Sequence, residues 1–364
     1  MLPTVIWFFI LFGLVVLSHE FGHFIVAKAS GIGVKEFFIG FGPTLFSFKR
    51  KGTKYSVKLL PLGGACVFEG MDGLVDEKEE KDAQASDEEE EAHSGSFLKA
   101  SVWARFATVF AGPFFNIILG FIIAFIMVNM IEIRDPVATQ VMEGSAAEAA
   151  GLLDGDRIIS LNGSRIYLFD DISLFNALYN GKDDVLVVYE RNGAKGETVL
   201  KPLYSEEYGR YMLGISNSDF IDLKGADAFK YTWYEMRYNL KMTYGSLGML
   251  FGGRVKRTDV AGPVGVAVNI VGATYENTKQ YGWVTVLVNM MNIALMLTVN
   301  LAIINLLPIP ALDGGRLLFI IIEMLRGKPV PPEKEAMVHF AGTIFFLVLV
   351  VFIFFNDLRN IFGF

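Results

Sequence analysis

The stretch Ser18-His19-Glu20-Phe21-Gly22-His23 closes an apolar segment that begins at Leu2, and it decides how this 364-residue chain is interpreted. The first 18 residues carry no charge, which is enough to predict a helix that spans a bilayer. A cleaved signal peptide is the alternative interpretation. Because no basic region precedes the apolar run and no clear cleavage site of small residues follows it, we expect a retained helix within residues 1–30.

Three further segments are apolar enough to span a membrane. Residues 106–131 contain no charge, and residues 336–355 form another apolar run. Between these two runs lies the segment 280–315, whose only charged residue is Asp313 and which is too long for one straight span. Its sequence Leu307-Pro308-Ile309-Pro310 cannot continue a regular helix, so we expect irregular backbone there, enclosed by protein or lining a cavity.

The composition agrees with a membrane protein. Hydrophobic residues make up 52% of the chain, the mean hydropathy is +0.42 and there are 32 Phe residues. The net charge of −7 arises from the acidic tract at 76–95, which we expect to be disordered, and the rest of the chain is almost neutral. Without a basic stripe, nucleic acid is excluded as a partner. The single cysteine, Cys66, excludes an internal disulfide.

Positive residues near the ends of the spans predict the orientation of the chain in the bilayer. The loops after the first and third spans carry most of them, so we expect both loops to face the cytoplasm. Both termini and the long region between the second and third spans are then expected outside. The residues on the cytoplasmic side are Lys28, Lys35, Lys49, Arg50, Lys99, Arg105, Arg316, Arg326, Lys328 and Lys334.

The first span contains the pattern H-E-x-x-H, which is typical of zinc peptidases. On a helix, His19 and His23 share one face and can reach one metal ion, while Glu20 can act as a general base. Ionisable residues are costly inside a membrane, and a metal offers compensation. A third ligand is needed, and Asp313 is predicted at the same depth. A helix cap at the wet end of each helix is the alternative role for these residues.

These motifs resemble the site-2 protease family of intramembrane zinc metalloproteases, in particular its bacterial RseP/RasP type. The resemblance covers nearly the whole chain. It is carried by the H-E-x-x-H motif, by Asn305-Leu306-Leu307-Pro308-Ile309-Pro310-Ala311-Leu312-Asp313-Gly314, by Ala111-Gly112-Pro113-Phe114-Phe115-Asn116 and by Ala261-Gly262-Pro263-Val264-Gly265.

The resemblance implies a Zn²⁺ cofactor held by His19, His23 and Asp313, with Glu20 as the catalytic general base. It implies that substrate is bound by residues of two further motifs, namely Asn305, Pro308, Pro310 and Asn116. The implied substrate is a single-span membrane protein, such as a pre-cleaved anti-sigma factor or a signal-peptide remnant. The implied location is the bacterial cell membrane, with a multi-pass chain and the active site toward the cytoplasm. No oligomeric state is indicated.

The expected fold is a polytopic α-helical membrane protein with about four transmembrane helices, a cytoplasmic-side membrane-associated β element and an extracytoplasmic α+β domain. Residues 146–163 resemble a PDZ domain, which either binds a chain terminus or excludes bulky substrates. The predicted divisions are transmembrane helix 1 at 1–30, the β element at 31–75, the acidic tract at 76–95, transmembrane helix 2 at 96–132, the PDZ domain at 133–208, an amphipathic helix and linker at 209–280, transmembrane helix 3 at 281–335 and transmembrane helix 4 at 336–364.

Two of these regions allow more than one interpretation. The β element, with a turn at Arg50-Lys51-Gly52-Thr53, is either a surface hairpin or an edge that pairs with an unwound substrate. Residues 227–250 carry an apolar stripe that fits a helix lying on the membrane surface or one packed on the PDZ domain. The stripe consists of Phe229, Trp233, Met236, Leu240, Thr243, Leu247 and Leu250.

Two other classes of function compete with the protease. A PDZ-bearing scaffold leaves the three ionisable residues of the first span unexplained. A metal transporter is expected to carry polar groups in several spans, whereas the fourth span offers only His339 and the remaining histidine, His93, lies in the acidic tract. Metal content and cleavage of a transmembrane substrate discriminate among the three.

Overall fold

Four helices of the computed structural model are long and apolar enough to cross a membrane. The structure describes residues 2–70, 95–137, 140–181, 183–206, 210–216, 220–221, 223, 225–255 and 260–362. Its main elements, in chain order, are α1 (Leu2–Ala29), β1 (Val34–Arg50), β2 (Thr53–Phe68), α2 (Val102–Val128), β3 (Ile133–Arg134), β4 (Gln140–Val141), α3 (Ala146–Ala149), β5 (Arg157–Leu161), β6 (Ser164–Arg165), α4 (Phe169–Leu178), β7 (Val185–Arg191), β8 (Ala194–Leu200), β9 (Leu203–Ser205), β10 (Arg210–Met212), β11 (Ile215–Ser216), β12 (Phe220–Ile221), α5 (Asp227–Phe251), α6 (Pro263–Gly265), a π-helical stretch (Val266–Gly272), α7 (Ala273–Thr278), α8 (Trp283–Leu306), α9 (Asp313–Arg326) and α10 (Pro332–Phe362).

The chain divides into two units. The membrane unit comprises residues 1–120 and 256–364, and the α/β unit comprises residues 121–255. The four apolar helices α1, α2, α8 and α10 correspond to the four predicted spans, so the prediction of a polytopic helical membrane protein is confirmed. The acidic tract falls largely outside the described residues.

The third span breaks where the sequence predicts. Helix α8 ends at Leu306, Leu307 is extended, and α9 begins only at Asp313. Helix α9 ends at Gly327, whose left-handed backbone closes the helix at little cost because glycine lacks a side chain. The predicted single region 281–335 therefore contains two helices joined by the segment 307–312.

Helix α9 is held by an apolar face and by an ion pair. Leu317 and Ile320 are one turn apart and pack against a buried cluster from the hairpin, α2 and the segments that precede them, namely Ile32, Val34, Phe68, Phe97 and Val109. On α9, Glu323 also receives two hydrogen bonds from the guanidinium of Arg105 near the start of α2, at 3.0 and 2.5 Å. Such a two-point pair fixes geometry as well as charge.

The two long strands of the hairpin β1–β2 bend back on themselves, so that they form more than one pair of hydrogen-bonded segments. Its turn lies at Lys51 and Gly52, as the sequence predicts. Both strands bend, so that residues 36–39 pair on one side with residues 54–57 and on the other with residues 64–67. Among the residues that the structure describes, residues 64–67 consequently form an edge of this small sheet. Strand β2 packs against α1, which brings the edge close to the H-E-x-x-H motif.

A helical stretch precedes the third span in place of the predicted linker. It runs through α6, the π-helical residues and α7. Its start is bound to the far end of the fourth span, because the buried carboxylate of Asp357 accepts hydrogen bonds from the N–H groups of Gly262 and Gly265, each at 2.8 Å. The π-helical residues of this stretch also pack against α1.

The α/β unit has its own core around the four-stranded sheet β6-β5-β7-β8. Strand β11 pairs with β4, and Leu213 is completely buried in the core. The predicted domain boundary at residue 208 therefore cuts through the unit. Strands β10 and β11 have only three and two residues, which is too short for an alternating pattern to show.

The predicted apolar stripe of α5 does not form a single face. Phe229, Trp233 and Leu250 are exposed, whereas Met236 and Thr243 are buried within the α/β unit. One part of the stripe therefore packs within the α/β unit, and another part leaves large apolar side chains exposed.

Candidate metal centre and active site

The two histidines of the first span meet at one point of the membrane unit. They lie one helical turn apart on α1, both are more than 90% buried, and their Nε2 atoms are 3.3 Å apart. Glycine at position 22 lets α1 approach α2 at this level, because a Cβ there would lie 2.9 Å from the carbonyl carbon of Ala111. Small residues permit close approach of helices in membranes.

Asp313 follows the break in the third span, and its side chain lies beside the two histidines. Its Oδ2 lies 3.1 Å from Nε2 of His19 and 3.3 Å from Nε2 of His23. Two glycines follow it because the turn of backbone is tight: a Cβ on Gly315 would lie 2.5 Å from the carbonyl oxygen of Ile309. The sequence-predicted trio is therefore brought together from segments nearly 300 residues apart.

These three donors fit a divalent metal. Their ligand atoms lie within 4.8 Å of one another. Among the described residues, Asp313 Oδ2 is buried without a hydrogen-bond partner, although a buried carboxylate oxygen normally has one. Two imidazoles and one carboxylate are a donor set that catalytic zinc uses, with a further position left for water or substrate.

Helix α2 supplies the surroundings of both imidazoles. The Nδ1–H of His23 donates to the carbonyl oxygen of Thr108 at 2.8 Å, which leaves Nε2 unprotonated and free to bind metal. Gly112 faces both rings, and a Cβ there would lie 2.5 Å from Cε1 of His23. The sequence motifs indicate no role for Thr108, because any residue type at position 108 supplies a backbone carbonyl.

Asn116 contacts the other imidazole. Its amide nitrogen lies 3.3 Å from Nδ1 of His19, its side chain is completely buried, and its backbone carbonyl accepts a hydrogen bond from Thr298 on α8 at 3.0 Å. The sequence predicts Asn116 as a substrate-binding residue. In the structure the side chain is fully buried and lies beside a metal-ligand candidate, His19.

Glu20 points toward the hairpin. Its Cγ lies 3.3 Å from the position that a Cβ would take on Gly64, at the edge of β2. On the same edge, burial and the nearby charge of Glu20 raise the pKa of the Cys66 thiol, so that this cysteine stays protonated. A reactive thiol is therefore not expected at Cys66.

The remaining predicted site residues lie at the break of the third span. Asn305 is buried in the last turn of α8, Pro308 is exposed and Pro310 is half-buried. His93 lies outside the described residues. His339 does not join the metal-ligand candidates, since its Nδ1 accepts a hydrogen bond from the N–H of Ala311.

Comparison with known proteins identifies this arrangement. The model of peptidase family M50 matches residues 7–349. The chain belongs to peptidase family M50. The zinc metalloprotease RasP of Bacillus licheniformis is 31% identical over 430 residues, covering 99% of this chain and 99% of the relative. The regulator of sigma-W protease RasP of Bacillus subtilis is 31% identical over 428 residues, with 99% of each chain covered.

Membership of family M50 confirms the predicted resemblance to site-2 proteases and the predicted class of enzyme, a metallopeptidase. The zinc in the relatives' names agrees with the predicted cofactor. The four apolar helices and the family together make the chain a multi-pass membrane peptidase.

Proposed function

We propose that this chain is an intramembrane zinc endopeptidase that hydrolyses a peptide bond in or near the transmembrane segment of single-span membrane proteins. The observation that carries the proposal is the convergence of His19, His23 and Asp313 on one point within a unit of membrane-spanning helices. Outside an ion site, three such groups inside a membrane protein would be costly.

The two imidazoles would hold the metal through Nε2, with Nδ1 protonated and hydrogen-bonded to α2. For His23 the Thr108 carbonyl accepts that proton. For His19 the same role falls to Asn116, whose Oδ1 is buried without a partner among the described residues. The oxygen and nitrogen of a side-chain amide are nearly identical in shape. Rotation of the Asn116 amide by 180° exchanges Oδ1 and Nδ2, and Oδ1 then accepts a hydrogen bond from the Nδ1–H of His19. We therefore assign Asn116 to orienting His19.

Glu20 is proposed to move the proton. It is adjacent to His19 but on a different side of α1, toward the edge of β2, and so is placed beside the ligands without being one of them. Zinc, when bound, polarises the scissile carbonyl and acidifies water. The carboxylate of Glu20 accepts the proton of the attacking water and then delivers it to the leaving amine.

The edge of the hairpin is proposed to hold the substrate backbone. A transmembrane helix has its backbone hydrogen bonds satisfied internally, so cleavage requires local unwinding, which leaves N–H and carbonyl groups without partners. Within the described part of the chain, residues 64–67 pair on one side only and lie next to Glu20, so their other side can pair with such a segment. Asn305, Pro308 and Pro310 are proposed to line the opposite side of the substrate.

The substrate class and location follow from the same reasoning. The RasP of Bacillus subtilis is named a regulator of sigma-W. By analogy, pre-cleaved anti-sigma factors and signal-peptide remnants are the proposed substrates, in a bacterial cell membrane. The excess of Lys and Arg in the first and third loops supports a cytoplasmic-side active site, with both termini and the α/β unit outside. The α/β unit is proposed to be a PDZ domain that either binds a chain terminus or excludes bulky substrates.

Two variants test the ligand and base assignments against each other. Glu20→Gln is expected to abolish cleavage of a single-span test substrate while the purified protein keeps one zinc per chain. Asp313→Asn is expected to lose both zinc and cleavage, because a neutral amide is the weaker ligand. Loss of zinc from Glu20→Gln would make Glu20 a ligand, and full zinc with full turnover in Asp313→Asn would remove Asp313 from the site.

A further inference from the structure

A histidine of the fourth span is attached to the segment that carries the third metal ligand. His339 lies on α10, and its Nδ1 accepts a hydrogen bond from the backbone N–H of Ala311 at 3.1 Å. Ala311 is only two residues before Asp313. Because Nδ1 accepts, the neutral imidazole carries its proton on Nε2.

Ala311 has a backbone conformation that needs support. Its φ angle is +73°, in the left-handed region, which a residue with a Cβ seldom adopts. This residue makes the final turn between the Pro308–Pro310 break and the first residue of α9. A relaxation of Ala311 to an ordinary φ would redirect the chain immediately before Asp313.

The fourth span fits this turn closely. One turn after His339, Gly342 leaves room for Pro310, because a Cβ at position 342 would lie 2.5 Å from Cβ of Pro310 and 2.8 Å from its carbonyl oxygen. The ring of His339 also packs against Phe319 on α9, with the ring centroids 5.6 Å apart. The imidazole therefore touches both the turn before Asp313 and the helix that Asp313 begins.

We propose that His339 is a positioning residue for the metal centre, acting through the N–H of Ala311 to hold the left-handed turn that presents Asp313 to His19 and His23. The proposal rests on the ligand set of the proposed function. Among the described residues, Nε2 of His339 has no hydrogen-bond partner, and Oε1 of Glu335 lies 3.9 Å from it, so the hydrogen bond to Ala311 is the polar contact that orients the ring.

The test compares two amide variants of His339, one that places a polar atom at the position of Nδ1 and one that places it at the position of Nε2. In His339→Asn the side-chain oxygen can take the place of Nδ1 and accept from Ala311, whereas in His339→Gln the amide reaches to the place of Nε2. Zinc affinity is measured by competition with a chelator in the purified full-length protein, and the visible absorption of the Co²⁺-substituted protein reports the ligand geometry. Thr343→Val is the control, since its hydroxyl bonds only to the backbone of its own helix, at 2.9 Å from the His339 carbonyl.

We expect His339→Gln to weaken zinc binding about tenfold and to change the Co²⁺ spectrum, with His339→Asn and Thr343→Val within about threefold of wild type. Adding Ala311→Gly to His339→Gln should restore affinity, because glycine adopts the left-handed turn without support. Equal affinity and identical spectra for His339→Gln and wild type would overturn the proposal, as would failure of Ala311→Gly to restore binding. A wild-type protein that binds no zinc would instead overturn the proposed ligand set, and the positioning role with it.

Discussion

Gly112→Ala should empty the metal centre without altering the membrane insertion of the chain. The added Cβ would lie 2.5 Å from Cε1 of His23, still closer to its Nε2, and 2.9 Å from Cε1 of His19. Ordinary contacts begin at about 3.4 Å, so the His23 ring must move by roughly 1 Å. It cannot swing aside freely, because the Thr108 carbonyl holds its Nδ1 at 2.8 Å. Retreat of α2 would open the contact between Gly22 and Ala111.

A displaced imidazole no longer converges with Asp313. We expect zinc affinity to fall at least about 100-fold, equivalent to about 2.7 kcal/mol, and cleavage to fall with it. The measurement is chelator competition on the purified protein, together with turnover of a single-span test substrate. Gly13→Ala is the matched control on α1, since a Cβ there has open space within 4 Å. Wild-type zinc affinity in Gly112→Ala would refute the packing argument.

Three further predictions concern other parts of the chain. Asn116→Ala should weaken zinc binding about tenfold, whereas Asn116→Asp, which keeps an acceptor for His19, should bind zinc more tightly than the alanine variant in the same chelator titration. Deletion of residues 76–92 should leave cleavage of a minimal transmembrane substrate within about twofold of wild type, and a severalfold drop would give the tract a role in catalysis or substrate choice. Burial and the charges of Asp170 and Asp171 raise the pKa of Glu235 to about 7 from an ordinary 4.5. The folded state therefore holds a proton that the unfolded state releases, so stability should fall as the pH rises from about 4.5 through about 7, by at most about 3 kcal/mol. Thermal unfolding against pH should show a shallower decline for Glu235→Gln, and an unchanged slope would contradict the assignment.

The sequence predicts those features that depend on a local pattern. Uncharged runs locate the four spans, and Pro308 and Pro310 predict the break because proline cannot continue a helix. The proximity of Asp313 to His19 also follows, since depth in a bilayer gives two distant segments a common coordinate. Such a coordinate has no counterpart in a soluble protein.

Other features depend on pairings that leave no local pattern. The two-residue strand β11 is too short to show an alternating pattern, so the sequence does not indicate that it pairs with β4. Asn116 and Gly112 belong to a recognised motif, but only the structure shows that they face His19 and His23. For His339, the partner is a backbone N–H, and any residue at position 311 except proline would supply one.

The separation of the ligands along the chain has a consequence for biosynthesis. His19 and His23 leave the ribosome first, and Asp313 follows about 290 residues later, which at ordinary translation rates takes roughly 15 to 60 s. A nascent or truncated chain thus possesses the proposed general base and two imidazoles yet lacks the proposed third ligand. On the proposed ligand set, a complete metal centre therefore forms only in a nearly finished polypeptide, and an interrupted product is expected to lack peptidase activity.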